Sequence, residues 1–400
     1  MQSQQTVGGA DGPVGADAAT PAVPATATQP SAAPTEAAIR LVAVTKAFPQ
    51  ATSPAVDRLS LEVGRGELTA LVGPSGCGKS TTLKMINRLI EPTSGTIEVG
   101  GVEVRDQPRH ELRRQIGYVI QQIGLFPHRT VADNIATVPR LLGWRKATIR
   151  ARTAELAGQV GLDRDLLDRY PSALSGGQQQ RVGVARALAA DPPVLLMDEP
   201  YSAVDPIVRA HLQDDLARLQ QELHKTIVLV THDVDEAIKL GDCIALLNVG
   251  GHLEQFGTPA EVLRAPANEF VERFLGRERG LKRMALITVA EVPLGGGPMV
   301  QADAAPAEAE AAMAAEGVDW VGVLAGDELL GWADGADLAG AARVGDAPRT
   351  PFRAFVRPGT TIREALDNIV NSRTRVAVVL DDDDRYLGML TVDHLAEALE

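Results

Sequence analysis

The stretch G-P-S-G-C-G-K-S-T, Gly73 to Thr81, constrains this chain more than any other. Apolar L-T-A-L-V precedes it and L-K-M-I-N follows, the pattern of a strand turning directly into a helix. It fits G-x-x-x-x-G-K-[ST], with Gly73, Gly78, Lys79 and Ser80 in the fixed positions. Glycines let backbone N–H groups curl around phosphate oxygens, Lys79 supplies a cation for the β- and γ-phosphates, and the Ser80 hydroxyl is a ligand for Mg²⁺. A helix starting near Lys79 adds its positive dipole end. A chance glycine-rich turn needs neither the strand before nor the helix after, so the loop is expected to bind a nucleoside triphosphate.

The strongest predicted strands are L-T-A-L-V (68 to 72), V-L-L-M-D (194 to 198) and T-I-V-L-V (226 to 230). Short β-rich runs alternate with helical periods from I-R-L-V-A-V-T-K-A-F to about Phe274, which predicts an α/β domain with a largely parallel core sheet. V-L-L-M-D-E-P delivers Asp198 and Glu199 to the C-terminal end of a buried strand, where open α/β sheets place ligands. Asp198 can hold Mg²⁺ through water, and Glu199 is placed to polarise an attacking water as general base. Alone, the acidic pair would read as a helix cap; behind a phosphate loop it does not. L-S-G-G-Q-Q-Q-R (174 to 181) sets Ser175 and two glycines ahead of the helical V-G-V-A-R-A-L-A-A, a second exposed helix N-terminus suited to an anion. In T-H-D (231 to 233), His232 follows an apolar strand, and only its company can separate a functional histidine from a structural one.

Four hundred residues with 45% apolar content suffice for two or three domains with their own cores. Residues 1 to 38 are Ala-, Pro-, Thr-, Gln- and Gly-rich, with no basic residue before Arg40, and are expected to form a disordered leader. The cassette-sized α/β region is placed at 39 to 276 and a Gly/Arg-rich linker at 277 to 284. A smaller region, 285 to 400, carries an imperfect repeat, about 285 to 345 and about 350 to 400: V-G-V-L-A-G-D-E-L-L-G-W-A and V-A-V-V-L-D-D-D-D-R-Y-L-G-M-L. A formal charge of −13 argues against nucleic acid as a partner. Cys77 and Cys243 lack C-x-x-C spacing, so neither a disulfide framework nor a zinc site is expected. No apolar run reaches the roughly 18 residues that cross a bilayer, and the N-terminus lacks a signal-peptide pattern, so a cytoplasmic location is expected.

Together and in order, G-P-S-G-C-G-K-S-T, L-S-G-G-Q, L-L-M-D-E-P, S-A-V-D and T-H-D resemble the ATP-binding subunit of ABC transporters over roughly Leu41 to Gly276. The resemblance implies a P-loop NTPase domain with a helical subdomain, binding ATP and Mg²⁺ and hydrolysing ATP. It makes Gly73, Pro74, Ser75, Gly76, Cys77, Gly78, Lys79, Ser80 and Thr81 the phosphate loop, Asp198 the Walker B aspartate and Glu199 the catalytic glutamate. Ser175, Gly176, Gly177 and Gln178 become the signature motif that completes the opposite subunit's ATP site. Asp205 falls in the D-loop, His232 is the switch histidine, and Gln121 is the Q-loop glutamine linking the nucleotide and its metal to the membrane partner. Ser80, Gln121 and Asp198 are the implied metal set, and Phe48 matches the aromatic that stacks on adenine.

Y-V-I-Q-Q-I-G-L-F-P-H, S-A-V-D-P-I-V-R, D-E-A-I-K-L-G-D and P-A-N-E-F-V-E-R-F-L-G are similar to the ATPases of glycine betaine, choline, carnitine and proline importers. Tyr201-Ser202 and Cys243 depart from that group's usual residues without touching phosphate chemistry. The C-terminal region resembles a tandem CBS pair with a degenerate first copy, giving an α+β domain behind the α/β one. Thr361 and Glu364 form a capping-box pattern there, with Ile362, Ala365, Leu366 and Ile369 on one helical face. In the G-x-x-[ST]-x-x-D pattern of nucleotide-binding copies, His394 replaces the acid after Gly388 and Thr391, and Asp334 replaces the hydroxyl between Gly331 and Asp337. Neither copy keeps both ribose-contacting groups, which argues against adenosine binding. The resemblance implies a homodimer on the inner face of the cell membrane, integral permease subunits and, indirectly, a solute-binding protein. An importer of another solute, a soluble ABC ATPase and a sensor with vestigial ATPase remain alternatives. The last two are disfavoured by the single cassette without sustained heptads and by the intact Lys79, Glu199 and His232.

Overall fold

Strand ends decide this architecture, because Gly73 to Thr81, Asp198–Glu199 and T-H-D all sit where a strand stops. The computed structural model describes residues 37 to 121, 124 to 202 and 204 to 399; the leader up to residue 36 lies outside them. Six strands form the central sheet in the order His252–Gly257, Cys243–Asn248, Leu68–Val72, Thr226–Thr231, Val194–Asp198, Ile116–Val119. The first pair is antiparallel and all the others are parallel. Leu68–Val72, Val194–Asp198 and Thr226–Thr231 are buried at every position, as parallel strands covered on both faces must be. The register pairs Val72 with Thr231 and Asp198 with Val230, so three strands end level with one another. The residues after them, Gly73, Glu199 and His232, therefore share one edge.

A four-stranded antiparallel sheet, ordered Val56–Gly64, Ala37–Lys46, Ser94–Val99, Val102–Glu103, packs on one face through Ile39, Leu41, Leu59, Leu61 and Ile97. Its Ala37–Lys46 strand starts two residues before the 39 expected from sequence. Helices Val131–Ile135, Lys146–Gln159 and Gly176–Leu188 close the other side, and their Val131, Ile135, Leu156 and Val182 share a core with Val119, Leu195 and Leu229 of the sheet. The helical subdomain is thus built onto the sheet's own core.

The C-terminal region holds two three-stranded sheets of identical topology. Met299–Gln301 runs parallel to Trp320–Ala325, which pairs antiparallel with Glu328–Asp334. Phe355–Val356, Ala377–Leu380 and Tyr386–Leu390 repeat the plan. Trp320, Trp332, Phe352, Val378 and Met389 form one apolar cluster between the copies. The copies exchange their first segments: Val289 and Val292 pack with Ile362 and Ile369 of the second, while Val344 and Ala347 pack with Ala309 and Met313 of the first. Thr361 caps its helix through Glu364 N at 3.3 Å, with Ile362, Ala365 and Ile369 buried and Leu366 partly so.

The segment read from sequence as a linker contains a helix, Arg279–Met284, wedged between the two regions. Lys282 Nζ pairs with Asp235 Oδ1 of the cassette at 2.9 Å, and Leu286 packs against the cassette core that contains Ala237, Ile238, Val271 and Leu275. On its other side Met284 enters the second copy's core and Arg283 donates to Leu399 O at 2.6 Å. A chain with glycines at 276 and 280 reads as a joint; the contacts on both flanks fix it as a bracket.

Candidate functional site

The phosphate loop closes over the end of Leu68–Val72, and Gly73 has no room for a side chain: a Cβ there would lie 2.1 Å from Leu247 O. Gly78 precedes helix Lys79–Ile86, and Cys77 and Lys79 are buried while Ser75 and Gly76 are exposed. Lys79 Nζ donates to Gly73 O at 2.7 Å and Pro74 O at 3.0 Å and lies 3.7 Å from Cys77 Sγ. The ammonium thereby braces the loop from inside. Burial pushes the Cys77 thiol above its ordinary pKa despite Lys79 beside it, so it serves packing rather than thiolate chemistry. Ser80 and Thr81 stand half-buried on the first turn.

Ser80 Oγ donates to Asp198 Oδ1 at 2.7 Å, joining loop and acidic strand end across 118 residues of chain. Asp198 is only 5% exposed. Tyr118 faces it from the adjoining strand, and burial followed by the Asp198 charge raises the phenol's pKa. One residue on, Glu199 adopts φ +44°, left-handed backbone that non-glycine residues take at some cost, and its N–H donates to Val230 O at 2.9 Å. Its carboxylate Oε2 accepts from Gln121 Nε2 at 3.2 Å and lies 3.3 Å from His232 Nδ1. The three residues expected to act on the γ-phosphate thus converge on one oxygen, although 78 and 33 positions separate them from Glu199 in sequence. His232 therefore stands beside the acidic strand end rather than in a core.

The other expected residues do not join this cluster within one subunit. Ser175 and Gln178 satisfy each other: Gln178 N donates to Ser175 Oγ at 3.3 Å and Ser175 N to Gln178 Oε1 at 2.9 Å. Gly176 has open space where a side chain would stand, whereas a Cβ on Gly177 would meet Val208 Cγ1 at 2.5 Å. The second glycine is therefore needed for packing inside the subunit. Asp205 caps the Pro206–Leu223 helix, accepting from Val208 N at 3.0 Å, and is exposed. Phe48 is 42% exposed with Lys46 Nζ 5.1 Å above its ring, an exposed aromatic rather than a core residue.

Sequence reasoning missed the support beneath His232. Thr231 Oγ1 donates to the buried Glu236 at 2.6 Å and accepts from Asp233 N at 3.0 Å, and Arg209 lies 3.8 Å from Asp233. The signal was present as Thr231 and Asp233 in T-H-D, but the partners come from a following helix and a distant one.

A P-loop at the switch-edge of a parallel sheet, an Asp–Glu strand end, a histidine on the glutamate and a capped glycine-rich helix start together define a P-loop ATPase of the ABC type. The ABC transporter family model matches residues 56–202, and the CBS domain model matches residues 344–400. The chain is 45% identical over 367 residues to the osmoprotectant import ATP-binding protein OsmV of Salmonella typhimurium, covering 90% of this chain and 96% of that protein. It is 46% identical over 343 residues to the glycine betaine/carnitine/choline transport ATP-binding protein OpuCA of Bacillus subtilis, covering 84% and 90%. The ABC transporter cassette MJ0796, solved as a dimer, is 34% identical with a TM-score of 0.50, covering 55% of this chain and 98% of that one. The chain belongs to the ATP-binding subunits of ABC transporters and carries a CBS domain at its C-terminus. Among the described residues no helix is long and apolar enough to cross a membrane.

Proposed function

We propose that this chain couples ATP hydrolysis to the import of quaternary amines and related compatible solutes such as glycine betaine, choline, carnitine or proline. The observation carrying this reading is the likeness to OsmV across 96% of that protein, through cassette and C-terminal region alike. A second reading, import of a different solute, is favoured by the cassette alone. Residues of this chain are 50% identical to the sulfate/thiosulfate import ATP-binding protein CysA of Nocardia farcinica, but over 56% of the chain and 66% of that protein.

In the proposed site the loop amides and Lys79 hold the β- and γ-phosphates, and Phe48 stacks on adenine. Ser80 and Asp198, oxygen donors joined by a hydrogen bond, fit a hard cation, and Gln121, held on Glu199 one residue beyond Asp198, would add its amide oxygen. Mg²⁺, when bound, would neutralise charge on the β- and γ-phosphates. Glu199 orients and deprotonates water, with His232 and Gln121 fixing its carboxylate. The helix start Ser175, Gly176, Gly177 and Gln178, with Ser175 and Gly176 exposed, completes the site of a second copy, with Asp205 at the same boundary. The working unit is then a homodimer bound beneath integral permease subunits at the inner face of the membrane, fed by a solute-binding protein.

The test is co-purification of the chain with its membrane partner, followed by ATP-driven uptake in vesicles. Uptake of at least one quaternary amine and none of sulfate supports the proposal. The reverse pattern replaces it with the second reading.

A further inference from the structure

The His232 side chain is 57% exposed, and its polar contact among the described residues is Glu199. Its position therefore depends on the backbone at Thr231 and Asp233, and both are tied to one buried acid. Glu236, 6% exposed, stands in the first turn of helix Val234–Leu240. Its Oε2 accepts from Thr231 Oγ1 at 2.6 Å, and that hydroxyl accepts from Asp233 N at 3.0 Å. Asp233 Oδ1 in turn accepts from Glu236 N at 3.3 Å, which closes a ring of hydrogen bonds around the residue carrying the imidazole. The other carboxylate oxygen, Oε1, is buried without a hydrogen-bond partner.

Leaving a carboxylate oxygen bare inside a protein destabilises the fold, and an apolar residue would suit the neighbouring Ala237 and Ile238 better. What the acid offers is a strong charge-assisted grip on Thr231. Resting on the ATPase reading of the site, we propose that Glu236 is a positioning residue for His232: it clamps Thr231 and Asp233 so that the imidazole stays on Glu199. Facing it are Thr231, Asp233 and His232 on the same turn, Arg209 from helix Pro206–Leu223, and the buried phenol of Tyr201. Burial is the main cause that lifts the Glu236 pKa to about 7, followed by the opposing Thr231 hydrogen bond. The clamp is therefore charged and tight above pH 7 and loosens as the carboxyl takes up a proton below it.

The experiment compares the full-length chain with Glu236→Gln and Glu236→Ala. It measures ATP affinity by calorimetry, kcat from pH 6 to 8.5, melting temperature and amide exchange at 231 to 233. The alanine variant should lose about tenfold or more in kcat with ATP affinity within about twofold, and its 231 to 233 amides should exchange faster. The glutamine variant, which keeps an acceptor for Thr231, should recover most of the rate at pH 6 and lose the rise in kcat through pH 7. Wild-type kcat and pH profile in both variants overturn the proposal. So do parallel losses of kcat, ATP affinity and melting temperature, which would make Glu236 a packing residue. Absence of turnover in the wild-type chain would instead indict the ATPase reading, leaving the exchange comparison as the test of the clamp.

Discussion

Gln121 Nε2 and His232 Nδ1 meet at a single atom, Glu199 Oε2, at 3.2 and 3.3 Å. Residues following two different strands, Ile116–Val119 and Thr226–Thr231, thus hold the carboxylate proposed to activate water.

Glu199→Gln should retain ATP affinity within about twofold and lose about a hundredfold or more in turnover, because it removes the base and leaves the phosphate loop intact. ATP should then hold the protein as a dimer. Calorimetry, turnover in the assembled transporter and sedimentation check the three parts, and wild-type turnover would remove Glu199 from its role.

Lys79→Ala should fail at an earlier step. The ammonium that would face phosphate also donates to Gly73 O and Pro74 O, so its loss removes a cation and slackens the loop. ATP binding should weaken at least tenfold in titration calorimetry, and unchanged affinity would contradict this account.

Ser175→Arg should leave ATP binding by the monomer unchanged and stop turnover. Loss of the Ser175–Gln178 capping box lowers helix stability by about 1 kcal/mol, visible as a small drop in melting temperature. In a heterodimer with Lys79→Ala, a shared site gathers both defects into one site and leaves the other intact, so the mixture should regain turnover that neither variant has alone. No gain in turnover over the separate variants would rule out a shared site.

Truncation after Arg279 should leave ATP-driven transport intact and change its dependence on ionic strength. From Arg279 to Glu400 there are 11 Lys or Arg against 20 Asp or Glu, so the region is repelled by an anionic membrane surface on average. The basic exceptions lie at the bracket, where Lys282 pairs with Asp235, three residues beyond His232. Salt weakens such a pair, and the truncated protein lacks it. Uptake by full-length and truncated proteins in liposomes across a salt series is the measurement. Identical salt responses would reduce the C-terminal region to an appendage, and loss of all transport would make it part of the engine.

The sequence by itself determined the elements and the residue types of the site. Leu68–Val72, Val194–Asp198 and Thr226–Thr231 were legible because a strand buried on both faces must be apolar throughout, and Gly73 to Thr81 because a phosphate cradle leaves few choices of residue. The general-base role expected of Glu199 came from its place at a buried strand end, whereas those of Gln121 and His232 were reached only through resemblance, since nothing local to Y-V-I-Q-Q or T-H-D reveals a shared target. Tertiary structure alone decided that they converge on one oxygen, because convergence depends on sheet order and on strands ending level. It also decided that Gly177 serves packing against Val208, that the repeats exchange their first segments, and that residues 279 to 284 form a bracket. Each of these follows from contacts between segments distant in the chain, and a pattern of periods and turns carries no information about which distant surface an element will meet.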